Sequence, residues 1–229
     1  MKKTISILLA ALMLFALAAC GGAEPKETST PETESAAHYL KALSYVNGDV
    51  LDNVDYFDAQ GHILGDEVYS DGALVTVEEF SAVEGFNLDL KELEDNEDVV
   101  STEYKELYAR TAEEGSEYKS TGKVFAFGYD ANNHMRMAKV FALSGDGAVL
   151  FTYVIYYQLD EHGNFTGWTH MTEEGKVLLE MNADLSYDGD QLVEADYHYT
   201  RYGQISYTEG YPYEELEPVS ADSHVVFEY

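Results

Sequence analysis

Pairs of turn-forming residues recur along this chain at intervals that leave room for a strand and little else. The first group is Asn47-Gly48, Gln60-Gly61, Asp71-Gly72 and Glu84-Gly85. After a gap come Asn132-Asn133, Asp146-Gly147, His162-Gly163, Glu174-Gly175, Asp188-Gly189 and Tyr202-Gly203. Within each group the second members lie 11 to 16 residues apart. Glycine and asparagine tolerate the positive φ that tight hairpin turns require. The segments between them are rich in Val, Tyr, Phe, Ile and Thr, which suit a pleated, half-buried surface. The pattern predicts a mainly β fold: an antiparallel hairpin meander forming an extended sheet, a shell or an open barrel.

Side-chain alternation supports this. From Val177 to Tyr187 the odd positions are all apolar and the even positions after Leu178 are all polar, the signature of a strand with one wet face. Ala148 to Leu159 is apolar on both faces, which predicts a strand covered on both sides. Residues 88–117 break the rhythm with a dense acidic stretch. Tyr104, Leu107, Tyr108 and Thr111 share one helical stripe, Ser101 or Thr102 is placed to cap its start, and Gly115 follows its end. That spacing predicts one short helix near 101–114, inside an acidic helical insert over about 88–117.

The N-terminal part is of another kind. Residues 1–19 combine a short basic start, Met1-Lys2-Lys3, with an apolar run ending in small residues. That is the form of a secretory signal rather than of a folded element, and the run is short for a bilayer span of ~20 residues. Residues 20–37 are rich in Pro, Glu, Ser and Thr and offer nothing to build a core, so they read as a disordered tether. Residues 38–229 suit a single domain. The chain has 229 residues, 43 acidic against 13 basic, and a formal net charge of −30. Such a balance disfavours nucleic acid, whose phosphates are held by Lys and Arg, and keeps a surface protein soluble. Cys20 is the single cysteine, so the folded part has no disulfide, no thiolate nucleophile and no cysteine metal site.

Leu17-Ala18-Ala19-Cys20 resembles the lipobox of bacterial lipoproteins. The resemblance implies that Cys20 is lipidated, becomes the mature N-terminus and anchors the chain to the extracytoplasmic face of a bacterial membrane. Phe57-Asp58-Ala59-Gln60-Gly61-His62-Ile63, Tyr129-Asp130-Ala131-Asn132-Asn133-His134-Met135 and Leu159-Asp160-Glu161-His162-Gly163-Asn164-Phe165 are similar to the YD-type hairpin repeats of bacterial surface proteins. That similarity implies stacked hairpins and no particular enzyme. A single stretch, Tyr156-Tyr157 through Thr166-Gly167-Trp168, is similar to the cell-wall-binding repeats of choline- and glucan-binding proteins. In those repeats, aromatic cages hold the ligand.

The 19 tyrosines point the same way. Tyr153, Tyr156, Tyr157, Trp168, Tyr197, Tyr199 and Tyr202 are the candidates for a ligand face on an exposed sheet. The alternative is that they form aromatic ladders that stabilise the sheet without a ligand. No GxSxG, HExxH or glycine-rich phosphate loop is present, so no catalytic residue is assigned. No metal site is assigned to the seven histidines, and no cofactor is expected. The turn carboxylates Asp130, Asp146, Asp160, Asp188 and Asp190 are the one place where calcium, which takes roughly six to eight oxygens, is conceivable. The function expected is a lipid-anchored extracytoplasmic binding or scaffold module, whose partner is a cell-wall glycan or a surface protein. One alternative is a wall-polysaccharide binder with Trp168 and Tyr156 or Tyr157 in an exposed cleft. The other is a carrier of a lipophilic ligand, in a hollow lined by Phe125, Phe127, Phe141, Phe151 and Ile155.

Overall fold

The computed structural model describes residues 39–58, 61–84, 88–206 and 210–229. The signal, Cys20, the tether and Gly85 lie outside the described residues. Twelve strands run in chain order: β1 (Lys41–Val46), β2 (Val50–Phe57), β3 (Ile63–Ser70), β4 (Ala73–Ala82), β5 (Ser101–Thr111) and β6 (Lys119–Tyr129). They continue as β7 (Met135–Leu143), β8 (Val149–Leu159), β9 (Phe165–Thr172), β10 (Val177–Asp188), β11 (Gln191–Ile205) and β12 (Tyr213–Glu228). Each pairs antiparallel with the next, and β12 returns to β1, with Lys41 opposite Glu228 and Tyr45 opposite His224. The expected meander therefore closes into a twelve-stranded up-and-down barrel. Closure removes the exposed edges that a meander would otherwise leave.

The turns follow the residues that mark them. In the three hairpins that begin at Asp58, Asp130 and Asp160 the aspartate N–H donates to the carbonyl four residues on, and the αL residue returns an N–H to the aspartate carbonyl. The pairs are Asp58 with His62 and Gly61, Asp130 with His134 and Asn133, and Asp160 with Asn164 and Gly163. Asn133 takes φ 65° where the other two copies have glycine, as asparagine can. The aspartate side chain then accepts from the backbone within the turn. Asp130 Oδ1 takes the N–H of Asn132 and of His134, and Asp160 Oδ1 those of His162 and Asn164. Ser144 and Thr172 begin hairpins of the same backbone form at the opposite end of the barrel.

Because strands alternate direction, all three of these turns fall at one end. There they lock together. The Asn133 side chain is 2.8 Å from His62 Nε2, and the His134 ring lies where a Cβ on Gly163 would sit. Tyr187 donates to Asp160 and accepts from Asn164 Nδ2 at 2.7 Å. Each of the three segments fixes a turn whose flanking residues, Phe57 and Ile63, Tyr129 and Met135, and Phe165, enter the core.

The barrel has two apolar faces. Inside, Phe125 and Phe127 stack at 5.6 Å and meet Phe80 edge-on, and Trp168, Tyr157, Tyr197, Tyr199 and Val225 join them. Outside, Val124, Ala126, Met137, Phe141 and Val154 form a second cluster. The connection from β4 to β5 covers it with Val83, Leu88, Leu90, Leu93 and Val99. This strap contains α1 (Lys91–Glu94), the one helix among the described residues. Strand β8 is accordingly covered on both sides at Val154 and Ile155, as its composition predicts, while Tyr156 and Leu150 on the same strand remain exposed.

Two expectations are corrected. Residues 101–114 are not a helix; Ser101–Thr111 is β5, paired with β4 and β6. Leu107 faces the core and Tyr104 the outer cluster, so the two positions that share a helical stripe serve opposite faces of a strand. The partners waiting on both sides override a weak local pattern. Tyr202-Gly203 is not a turn either but lies within β11. The glycine is needed because the Tyr213 ring lies against it, where any Cβ would overlap.

The strap is fastened by Lys139 on β7. Its side chain is fully covered, and its ammonium donates to Glu92 at 2.6 Å and lies 2.9 Å from Glu173. Burial works against that charge, but the two carboxylates outweigh it and hold the lysine above its usual pKa. Replacing Lys139 with Met keeps the stem and removes both charge-assisted bonds, which typically contribute about 1–3 kcal/mol. Lys139→Met is expected to lose stability of that order in urea unfolding.

Candidate functional site

The seven aromatic candidates do not share an exposed face. Trp168, Tyr157, Tyr197 and Tyr199 are buried in the core, and Tyr153 packs against it from the inner side of β8. Tyr156 points outward from the same strand and is exposed. The expected cleft between Trp168 and Tyr156 or Tyr157 is therefore absent: Tyr157 pairs directly with Trp168 across β8 and β9, and both turn inward. These rings follow the ladder alternative, with Trp168 stacked on His170 at 4.4 Å and Tyr197 edge-on to Tyr199.

The hollow expected of a carrier is also missing where it was placed. Phe125, Phe127 and Ile155 retain at most 1% of their surface. Phe141 lies outside the barrel under the strap, and Phe151 packs toward Tyr211. Side chains fill the interior at these positions.

Tyr202 is the candidate that does line an opening. A surface cleft of about 470 Å³ is bounded by Lys176, Val177, Glu180, Tyr202, Tyr213 and Glu215. It forms where β10, β11 and β12 meet the β9–β10 turn. The register shift between Arg201 and Gly203 lets Tyr213 cross the glycine. The Tyr213 hydroxyl donates to the Val177 carbonyl at 3.2 Å, fixing the ring. Lys176 Nζ stands 5.0 Å from its centre. A hydrogen bond to Glu180 holds the Tyr202 phenol above its usual pKa. The cleft thus offers two aromatic rings, two carboxylates and one ammonium. Tyr213 and Lys176 escape the sequence reading because the pairing that joins residue 176 to residue 213 has no local signal.

A second unusual arrangement is inside. Asp55 on β2, Asp66 on β3 and Glu78 on β4 are direct cross-strand partners in one row. Asp55 has no exposed surface and Asp66 only 7%. Burial is the main cause that raises the pKa of all three; Asp66 reaches about 8, and Asp55 lies well above the carboxylate range. No sequence pattern announces the row, because it depends on the register of three strands.

Three of the turn acids, Asp130, Asp146 and Asp160, have structural partners. Asp130 is pushed up by burial, but the His134 N–H, Arg136 and the Asn132 N–H outweigh this and hold it below the ordinary range. Asp146 accepts from Ser144, and Asp160 from Tyr187. Asp188 and Asp190 flank the β10–β11 turn. Among the described residues no group of three or more His, Cys, Asp or Glu is arranged to hold a metal ion. No helix among them is long and apolar enough to cross a membrane. Comparison with known proteins finds no family model that matches the chain, and no curated protein matches it.

Two histidines sit in opposite surroundings. His170 lies between Trp168 and Tyr153, whose rings desolvate it and lower its pKa to about 3. His198, on the outer face of β11, is hydrogen-bonded to Asp222 at 2.8 Å and lies 3.4 Å from Asp184; these carboxylates raise its pKa. In an NMR titration of the imidazoles, His198 is expected to protonate above 6.5 and His170 to stay neutral far below it. By linkage, the contribution of His170 to stability is present above pH 6.5 and lost as pH falls toward 3, whereas that of His198 is lost as pH rises through its raised value.

Proposed function

We propose that this chain is a lipid-anchored extracytoplasmic binding module that takes a cell-wall glycan in the cleft between β10, β11 and β12. The observation that carries the reading is the cleft itself: Tyr202 and Tyr213 beside Glu180, Glu215 and Lys176. Sugar rings present C–H faces that rest on aromatic rings, and hydroxyls that bond to carboxylates and ammonium groups. A module of this kind works by recognition, and no catalytic residue is assigned. The address comes from the sequence: the leader, the lipobox cysteine Cys20 and the acidic tether. A single acyl chain binds membranes weakly, so stable anchoring at Cys20 requires more than one.

The aromatic face expected from the sequence is thereby moved, from Trp168 and Tyr157 in the core to Tyr202 and Tyr213 on the surface. Closure of the barrel supports a side-chain cleft over strand addition, because among the described residues no sheet edge is left open to a partner.

The test is co-sedimentation of the full-length chain in detergent with purified sacculi. Tyr202→Ala is expected to weaken binding about tenfold, or roughly 1.4 kcal/mol, without shifting the melting temperature. Trp168→Ala is expected to cost about 3–5 kcal/mol of stability, as a core truncation does, and to leave the affinity of the folded fraction unchanged. Failure of the wild-type chain to sediment with sacculi would overturn the glycan reading and leave a surface protein as the partner to test.

A further inference from the structure

Three acids in register on one inner wall are an arrangement that a folded barrel does not tolerate in its ionised form. Like charges directly opposite each other on neighbouring strands repel, and burial multiplies the effect. Asp55 faces Asp66, and Asp66 faces Glu78. Among the described residues none of the three carboxylates has a lysine, arginine or histidine nitrogen within ion-pair distance. Asn53 donates to Asp55 Oδ1 at 2.8 Å. Asp55 Oδ2 and Asp66 Oδ1 are both buried and unpartnered. Asp55 has no accessible surface, so water does not reach it.

We propose that the Asp55–Asp66–Glu78 row is a proton-binding site: held as carboxylic acids it lets β2, β3 and β4 close the barrel, and release of its protons to solvent loosens that wall. This inference is independent of the cleft and of its ligand.

The surrounding groups do not supply a substitute for the proton. From β6, Lys123 acts on Asp66 and Glu78 and favours their ionised forms, but burial outweighs it at both. From β5, Lys105 is turned to Glu103 at 3.2 Å and to the Ile63 carbonyl. From β11, Tyr197 and Tyr199 sense the Asp55 charge, as does Tyr39 ahead of β1, and all three phenols are themselves pushed up by burial. On β2, Asp52 adds another carboxyl that burial raises. Ser44 and Ser223, from β1 and β12, are buried on the inner face without charge.

The sign follows from linkage. A carboxyl whose value is raised on folding binds more protons in the folded state than in the unfolded chain. Stability therefore falls as pH rises from the ordinary carboxylate range through about 8, the value for Asp66, with one proton giving up to about a tenfold change in the unfolding constant per pH unit. Below pH 6.5 the protonation of His170 in the unfolded chain opposes this slope. Above it, the loss of charge on His198 adds to it. The clean window is pH 6.5 to 8.5 on a His198→Gln background.

The experiment is thermal and urea unfolding of the full-length chain across that window, together with difference infrared spectroscopy of the carboxylic acid carbonyl stretch. The proposal expects the unfolding constant of His198→Gln to rise with pH. It also expects a protonated-acid band at pH 6.5 that fades by pH 9. Asp66→Asn, a neutral amide of the same shape, is expected to flatten the slope and remove part of the band. Should Asp66→Asn fail to fold, the infrared band of the wild-type chain decides alone. Absence of that band at pH 6.5, or a stability that is flat or rising to pH 8.5 in His198→Gln, would overturn the proposal.

Discussion

The pairing of β1 with β12 is the constraint on which the rest depends. Eleven connections join strands that follow one another in the chain, ten of them by short loops and one through the strap. The twelfth contact joins Lys41 to Glu228 across nearly the whole domain. Without it the sheet would end in two open edges and its inner face would be bare on one side. With it, Ala42, Val225 and Phe227 complete the inner wall, and Tyr39 packs on Phe227 with ring centres 4.5 Å apart. Loop-closure entropy grows slowly with length, so this long closure costs little more than a shorter one and removes the edges as aggregation sites.

Closure also decides which residues can do anything outside the core. A barrel this rich in aromatic residues consumes them from the inside: Trp168, Tyr157, Tyr197 and Tyr199 are spent on packing. What remains for a partner is set where the regular pattern fails. The register shift after Arg201 makes β11 and β12 uneven, and the space it opens is the cleft lined by Tyr202 and Tyr213. The other departure from a one-faced sheet is the strap. Part of the outer face of β6 to β8 is apolar, and the acidic connection containing α1 covers it, pinned through Lys139. Among the described acidic residues only Asp55 and Asp66 are buried, and the others keep part of their surface in water. Asp55 and Asp66 are different because the same residue type is placed where water scarcely reaches.

Much of the architecture was legible in the sequence, for a physical reason. Turn residues with positive φ act locally: Asn47, Gly61, Asp71, Asn133, Gly147 and Gly163 all adopt it at hairpins. The alternation from residue 177 to 187 marks β10 because successive side chains in a strand point to opposite faces whatever the partner. The failures are equally physical. Tyr104, Leu107 and Tyr108 satisfy a helical and an extended pattern at once, and only the presence of β4 and β6 on either side chose the strand. Tyr202-Gly203 looks like a turn because glycine is also what a strand needs where a tyrosine ring crosses its backbone.

By itself, then, the sequence determined the class: antiparallel β, strand by strand in hairpin order. Those properties rest on interactions between near neighbours. Tertiary structure alone decided that the sheet closes, which tyrosines face water, that residues 176, 202 and 213 border one cleft, and that Asp55, Asp66 and Glu78 share one cross-strand row. Each of these depends on register between strands far apart in the chain. A shift of one residue would turn every side chain of a strand to the other face, and no local pattern records which register the packed core selects.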